Sequence, residues 1–216
     1  MLAIETATAG GPHDAAPPEL LARFGLFVER TFLGPTECGR VCADMAMGEG
    51  SPATVHQADG HFALDAAVRS TRAVSVSAES IELIRGGFAA LRPRVEHHFG
   101  VTLQTWQRFQ FLAYGAGDHY VPHADNSTDP HAAASVRARK ISVVLFLNDP
   151  AMAPGPAVYG GGALTFWGLF SDPRLQGRGL PVSGAAGLLV AFPSHLTHGV
   201  EMVTHGVRYT VVSWFV

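Results

Sequence analysis

The apolar positions change period partway along the chain. Up to residue 100 they recur mostly at helical spacing. From residue 101 they alternate, or run on without a break, as strands do. "LLARFGLFVERTFL" (20–33) reads as a short helix running into a strand. "GPTECGRVCADMAM" (34–47) reads as a helix: Pro35 suits its first turn, Thr36 or Glu37 complements its N-terminus, and Cys38, Val41, Cys42 and Met45 line one side. Residues 48–76 carry little pattern and are expected to be irregular. "SAESIELIRGGFAALRPRVEHHFG" (77–100) reads as a longer helix. Ile81, Ile84, Phe88 and Leu91 form its stripe, Gly100 ends it, and Pro93 is expected to kink or divide it.

The second half reads as strands. "LQTWQRFQFLAY" alternates apolar and polar residues, and "RKISVVLFLND" is a β-branched run closed by turn residues. "GGALTFWG", "GLPVSG", "AAGLLVAFPS", "HGVEMVTHG" and "VRYTVVSWFV" follow as short strands punctuated by Gly, Pro and Asn. Seven or eight short strands in about 115 residues argue for a sandwich or double-sheet jelly roll with helices on one face. The expected fold class is mainly β with flanking helices (α+β). Residues 1–18 are expected to be a flexible tail closing on Pro17-Pro18, and 19–216 a single domain. Within it, 19–100 is expected to be mainly helical support and 101–216 the jelly-roll core. No internal repeat is visible.

Composition narrows this little. Apolar residues make up 47%, enough for a large core, and a net charge of −3 gives no reason to expect a nucleic-acid partner. The only cysteines, Cys38 and Cys42, lie one helical turn apart and read as small apolar residues rather than as a disulfide. The N-terminal stretch has neither a basic region nor an uninterrupted apolar run, so it is not expected to act as a signal peptide. No apolar run reaches the ~18 residues of a membrane span. A cytoplasmic protein is the expectation.

Candidate chemistry begins at "YVPHADN" (120–126). On an extended segment His123 and Asp125 point the same way and supply two ligands for a divalent metal. On a loop they are polar decoration beside Asn126-Ser127-Thr128. His198, at the mouth of the strand that follows "LLVAF", is the candidate third ligand, with His195 as its rival. Two histidines and one carboxylate suit non-haem Fe(II), because three adjacent coordination positions stay open. Ten residues on, Arg208 sits in an otherwise apolar strand among Val207, Tyr209, Val211 and Val212. A guanidinium buried there needs an anionic partner, either an internal Asp or Glu or a carboxylate ligand.

His-x-Asp, a distal histidine and a basic residue ten further on resemble the Fe(II)- and 2-oxoglutarate-dependent oxygenases, and within them the prolyl 4-hydroxylase group. The resemblance covers roughly residues 24–216 and includes "RTFLGPTECGRV", "FLAYGAGDHYVPHAD", "ISVVLFLND", "GGALTFW" and "GLLVAFPSHLTHGVEMVTHGVRYTVVSWF". It implies a distorted double-stranded β-helix. It implies Fe(II) held by His123, Asp125 and His198, and 2-oxoglutarate held at its C5 carboxylate by Arg208, with Tyr114 beside the co-substrate. Thr210 shares strand parity with Arg208 and is a candidate to assist the same carboxylate; Trp214 shares it too, as pocket wall or core. O2 is the implied oxidant, and ascorbate a candidate reductant. The implied reaction is hydroxylation of an unactivated C–H with decarboxylation of 2-oxoglutarate to succinate. Related halogenases lack the carboxylate ligand; Asp125 is present, which favours hydroxylation.

The chain also departs from the group. Phe146-Leu147-Asn148 stands where relatives often have Tyr-Leu-Asn, and Ala163-Leu164 where they often have Glu-Thr. Two substrate classes remain open, a peptidyl residue and a free amino acid or small metabolite. The loops 126–140, 151–160 and 171–181 are expected to gate the mouth. Arg137, Arg139 and Lys140 read either as an attractor for acidic substrates or as a solvated basic loop. A non-catalytic cupin-like metal barrel lacks its usual His-x-His pair here, and a zinc hydrolase its His-Glu-x-x-His.

Overall fold

The computed structural model describes residues 18–56 and 62–216. All of the expected tail except Pro18 lies outside the described residues; Pro18 opens the first helix. The order begins α1 (Pro18–Arg23), β1 (Phe27–Glu29) and α2 (Pro35–Met47). Five short strands follow: β2 (Gly50–Pro52), β3 (Val55–His56), β4 (Phe62–Ala63), β5 (Arg69–Ser70) and β6 (Arg72–Val74). Then come α3 (Ala78–Phe99), β7 (Gln110–Tyr114), β8 (His119–His123), α4 (Ala134–Arg137) and β9 (Ile141–Phe146). The chain ends with β10 (Tyr159–Gly161), β11 (Leu164–Phe166), β12 (Leu180–Val182), β13 (Leu189–Pro193), β14 (His198–Val200), β15 (Val203–Gly206) and β16 (Arg208–Phe215).

The helix boundaries follow from their caps. Pro35 takes the first turn of α2, and the Glu37 carboxylate accepts the Gly34 N–H at 2.8 Å. Ser77 caps α3 by accepting the Ser80 N–H, and Gly100, at φ 64°, ends it. Of the two effects expected of Pro93, division of α3 does not occur: the helix runs through it from Ala78 to Phe99. Pro93 lies on the exposed side, where water can take the carbonyl it leaves unpaired.

Two sheets form the core. The larger runs β1-β13-β9-β16-β7-β6-β2 and the smaller β12-β11-β14-β8-β5, with antiparallel pairing throughout. The described part of 48–76, expected to be irregular, therefore carries short strands: β2 and β6 extend the larger sheet and β5 edges the smaller. Strands of two or three residues are set by the edge they join, so they leave no period of their own.

Strand β9 is buried on both sides. Val143 and Leu145 join Val41, Met45, Ile84, Phe88 and Leu91 of the helices, whereas Val144 and Phe146 face Leu164, Phe166, Val190 and Phe192. That is why "ISVVLF" runs on without alternation. The two thiols are free, and burial pushes Cys38 up to about 11 and Cys42 to about 12, so both are inert near neutral pH. Among the described residues no helix is long and apolar enough to cross a membrane.

Candidate active site

The parity of the two sheets selects what faces inward. On β16, Arg208, Thr210, Val212 and Trp214 line one cavity; on β7, Gln110, Leu112 and Tyr114 line it from beside them. The smaller sheet contributes Tyr120 and His123 from β8 and His198 and Val200 from β14. The cavity measures about 240 Å³.

His123 ends β8, and His198, which begins β14, is its direct cross-strand partner. Gly199 makes this possible. A Cβ there would lie 2.7 Å from the Tyr120 carbonyl oxygen, so only glycine lets β14 come this close to β8. Asp125 lies just past the strand, not on it, and reaches the same point because its N–H and that of Asn126 both bond to the Ser194 carbonyl. His123 Nε2 is 3.6 Å from Asp125 Oδ1, and His198 Nε2 is 3.3 Å from Asp125 Oδ2. Each residue offers one ligand atom, all within 4.8 Å of one another. His195 is exposed and outside the cluster.

Outer contacts set the donors. His123 Nδ1 lies 2.9 Å from the Val121 carbonyl and His198 Nδ1 2.9 Å from that of Leu196. A carbonyl accepts only, so both Nδ1 atoms carry a proton, and in the neutral rings Nε2 is the nitrogen left to bind a metal. Ser142 Oγ donates to Asp125 Oδ2 at 2.7 Å and lies 3.0 Å from Ser194 Oγ. Tyr120 stacks on His123 with ring centres 3.6 Å apart. Burial alone would raise the Asp125 pKa, but His198 and His123 outweigh it and hold it well below the usual carboxylate range. Burial lowers His123; at His198 the Asp125 carboxylate overcomes burial and the net shift is upward.

Arg208 is 1% exposed. It lies against two aromatic faces, 5.2 Å from the Tyr114 ring centre and 4.9 Å from that of Phe146. Nη1 is 3.4 Å from Thr210 Oγ1, while Nε and Nη2 are buried without a hydrogen-bond partner. Among the described residues no carboxylate pairs with Arg208, so the internal ion pair is not what holds it. A buried guanidinium left this way costs several kcal/mol and fits a cradle for an anion. Three convergent metal donors, open space and an anion receptor in one cavity suit Fe(II) with a bidentate keto-acid.

Four features lie outside the sequence reading. Ser142 and Ser194 orient Asp125. Ser142 stands in a strand buried on both faces, where a hydroxyl must find a partner, and that was its signal. Tyr159, 1% exposed, packs against Gly162 beside Arg208, and a Cβ on Gly184 would meet both its hydroxyl and the Phe146 ring. Burial raises its pKa, opposed by the adjacent Arg208 and the Gly184 N–H, although no partner reaches full hydrogen-bond geometry. Arg69 lines the cavity from the weakly patterned stretch, which gave no signal. Of the basic residues in 126–140, Arg137 and Lys140 bond to backbone carbonyls outside the cavity, whereas Arg139 lines it. Loops 151–160 and 171–181 contribute no lining among the described residues.

Comparison with known proteins agrees with this geometry. The sequence profile of the 2OG-Fe(II) oxygenase superfamily matches residues 109–216, which include all three cluster residues and Arg208. A PKHD-type hydroxylase from Picosynechococcus sp. is 33% identical over 125 residues, 58% of this chain and 44% of the relative. One from Gluconobacter oxydans is 32% identical over 105 residues, 48% of this chain and 40% of the relative. The chain thus spans less than half the length of these curated relatives. Among solved structures, a Pseudomonas putida prolyl-4-hydroxylase superposes with a TM-score of 0.66 at 22% identity, covering 91% of this chain and 95% of that one. A Trichoplax adhaerens prolyl hydroxylase, solved with a hypoxia inducible factor peptide fragment, gives a TM-score of 0.68 at 17% identity, covering 91% and 86%. At these identities the likeness shows the fold, a double-stranded β-helix. The match across half of the sequence, on a cavity with these donors, places the chain in the 2OG-Fe(II) oxygenase superfamily.

Proposed function

We propose that this protein is an Fe(II)- and 2-oxoglutarate-dependent dioxygenase that hydroxylates an unactivated C–H. The observation that carries the reading is Arg208: a buried cation, without an internal anion, in the same cavity as the His123–Asp125–His198 cluster. The balanced reaction is R–H + 2-oxoglutarate + O2 → R–OH + succinate + CO2. One oxygen atom enters the alcohol and the other succinate; the co-substrate loses its C1 as CO2.

His123, Asp125 and His198 would hold Fe(II), which with 2-oxoglutarate would supply oxygen activation. The chain's own residues do the rest. His123 and His198 present Nε2 because their Nδ1–H groups are spent on carbonyls. Asp125 stays ionised, with Ser142 occupying one lone pair of Oδ2. Arg208 and Thr210 receive the distal carboxylate of 2-oxoglutarate, and the Tyr114 and Phe146 rings keep the guanidinium dry. Tyr159 packs beside Arg208, outside the cavity lining, and would help to hold the guanidinium in place from behind. Leu112, Val144, Leu164, Val200 and Val212 exclude water from the cavity.

The test is succinate formation that requires both Fe(II) and 2-oxoglutarate, with ascorbate present as reductant. Asp125→Ala is expected to abolish it. Arg208→Ala is expected to weaken 2-oxoglutarate on the order of 10- to 100-fold, the loss of hydrogen bonds to a charged group. Wild-type succinate production by either variant at limiting metal or co-substrate would refute that residue's role.

A further inference from the structure

The cavity holds three arginines, Arg69, Arg139 and Arg208, and among the described residues a single carboxylate, Asp125. The proposed function accounts for Arg208. Fe(II) and the two carboxylates of 2-oxoglutarate cancel each other formally, as do Asp125 and Arg208. Arg69 and Arg139 remain.

Both are held in place, and both by neutral groups. Arg69 is 9% exposed; Nη1 donates to the Thr54 carbonyl at 3.0 Å and Nη2 to Gln110 Oε1 at 3.3 Å, while Nε is buried without a partner. Its guanidinium lies 4.9 Å from the centre of the Tyr120 ring, the ring that stacks on His123. Arg139 donates from Nε to Gln107 Oε1 at 3.0 Å and from Nη1 to the Asp125 carbonyl at 3.1 Å, and its guanidinium sits 3.6 Å from the centre of the Trp214 ring. Among the described residues neither forms an ion pair. Burial lowers the Arg139 pKa; the Asp125 carboxylate opposes burial, and the Arg69 charge adds a smaller push in the same direction as burial. Neutral acceptors solvate a guanidinium but do not neutralise it. An uncharged prolyl residue would leave both charges uncompensated; a carboxylate would answer them through charge-assisted hydrogen bonds.

Resting on the oxygenase reading, we propose that the molecule hydroxylated here is a small carboxylic acid, a free amino acid or related organic acid, whose carboxylate is received on the Arg69–Arg139 side of the cavity. The aromatic supports of that side set its position. Tyr120 lies between Arg69 and His123, and Arg139 bonds to the backbone of Asp125, so a carboxylate held there places the adjoining carbons over the metal cluster.

The experiment is calorimetric binding, which needs no turnover. Protein loaded with Zn(II) is first titrated with 2-oxoglutarate. The complex is then titrated with the twenty L-amino acids, with short mono- and dicarboxylates, with the carboxamide of each acid that binds, with an N-acetylated, C-amidated prolyl peptide, and with the same peptide carrying an aspartate. The expected result is that at least one free acid binds and that its amide binds at least tenfold more weakly. Arg69→Gln is expected to lose that preference and Arg69→Lys to recover part of it, with 2-oxoglutarate binding reporting that each variant is folded. Equal binding of acid and amide would overturn the proposal. So would no free acid binding to a protein that takes 2-oxoglutarate, or either peptide binding more tightly than every free acid. Failure of 2-oxoglutarate itself to bind strikes the oxygenase reading instead, and shows in the first titration.

Discussion

The carboxylate of Asp125 is held from three directions: His123 and His198 in front, the Ser142 hydroxyl behind, and the Ser194 carbonyl on its backbone N–H. Ser142→Ala removes the rear contact and keeps the strand. Outer-sphere partners of metal ligands typically govern roughly 10- to 100-fold in metal affinity. The variant is expected to bind Fe(II) at least tenfold more weakly in an anaerobic titration; unchanged affinity would show that Ser142 merely fills space. Tyr159→Phe tests the second site. It is expected to weaken 2-oxoglutarate several-fold, to leave Fe(II) affinity unchanged, and to fail if co-substrate binding does not move. His123, Asp125, His198 and Arg208 were legible in the sequence because each is costly where it stands: a histidine at a strand mouth, a guanidinium in a final apolar strand. Ser142, Tyr159 and Arg69 were harder to read, because their meaning lies in what the fold brings beside them.

Helices and strands differ in how much of themselves they announce. The caps of α2 and α3 were readable from Pro35, Glu37 and Gly100, since a cap is a contract among near neighbours in sequence. The contact between those helices was not. Asp44, on α2, accepts hydrogen bonds from the Ser77 N–H, the Ser77 hydroxyl and the Ser80 hydroxyl, and so ties α2 to the start of α3. Its slight burial would raise its pKa, but those bonds outweigh burial and lower it. A lowered folded pKa stabilises above the unfolded value, about 3.9, and that stability is lost as pH falls through the folded value. Asp44→Ala is expected to cost on the order of 1 kcal/mol at neutral pH, and the gap from wild type should close below pH 3.9. Denaturant melts at pH 7 and pH 3 check this; an equal gap at both would show that the carboxylate charge is not what holds α2 to α3. The strands of 48–76 left no pattern because β2, β5 and β6 borrow their order from the sheet edges they complete.

At the scale of the molecule, strand order is what the sequence concealed. Phe27 pairs with Ala191 and Trp106 bridges to Phe215, partners chosen by the closing of the two sheets and by nothing local. That closing turns four scattered signals into one site. It sets His123 and His198 of the smaller sheet across the cavity from Arg208 of the larger, and it brings in two further arginines that form no ion pair among the described residues. The central claim is that metal and keto-acid meet there. The measurement that tests it most directly is an anaerobic titration of the apoprotein with Fe(II) and then 2-oxoglutarate, followed by visible absorption. The account predicts a charge-transfer band that needs both components and is lost in Asp125→Ala. Tight Fe(II) binding with no band at saturating 2-oxoglutarate would contradict it.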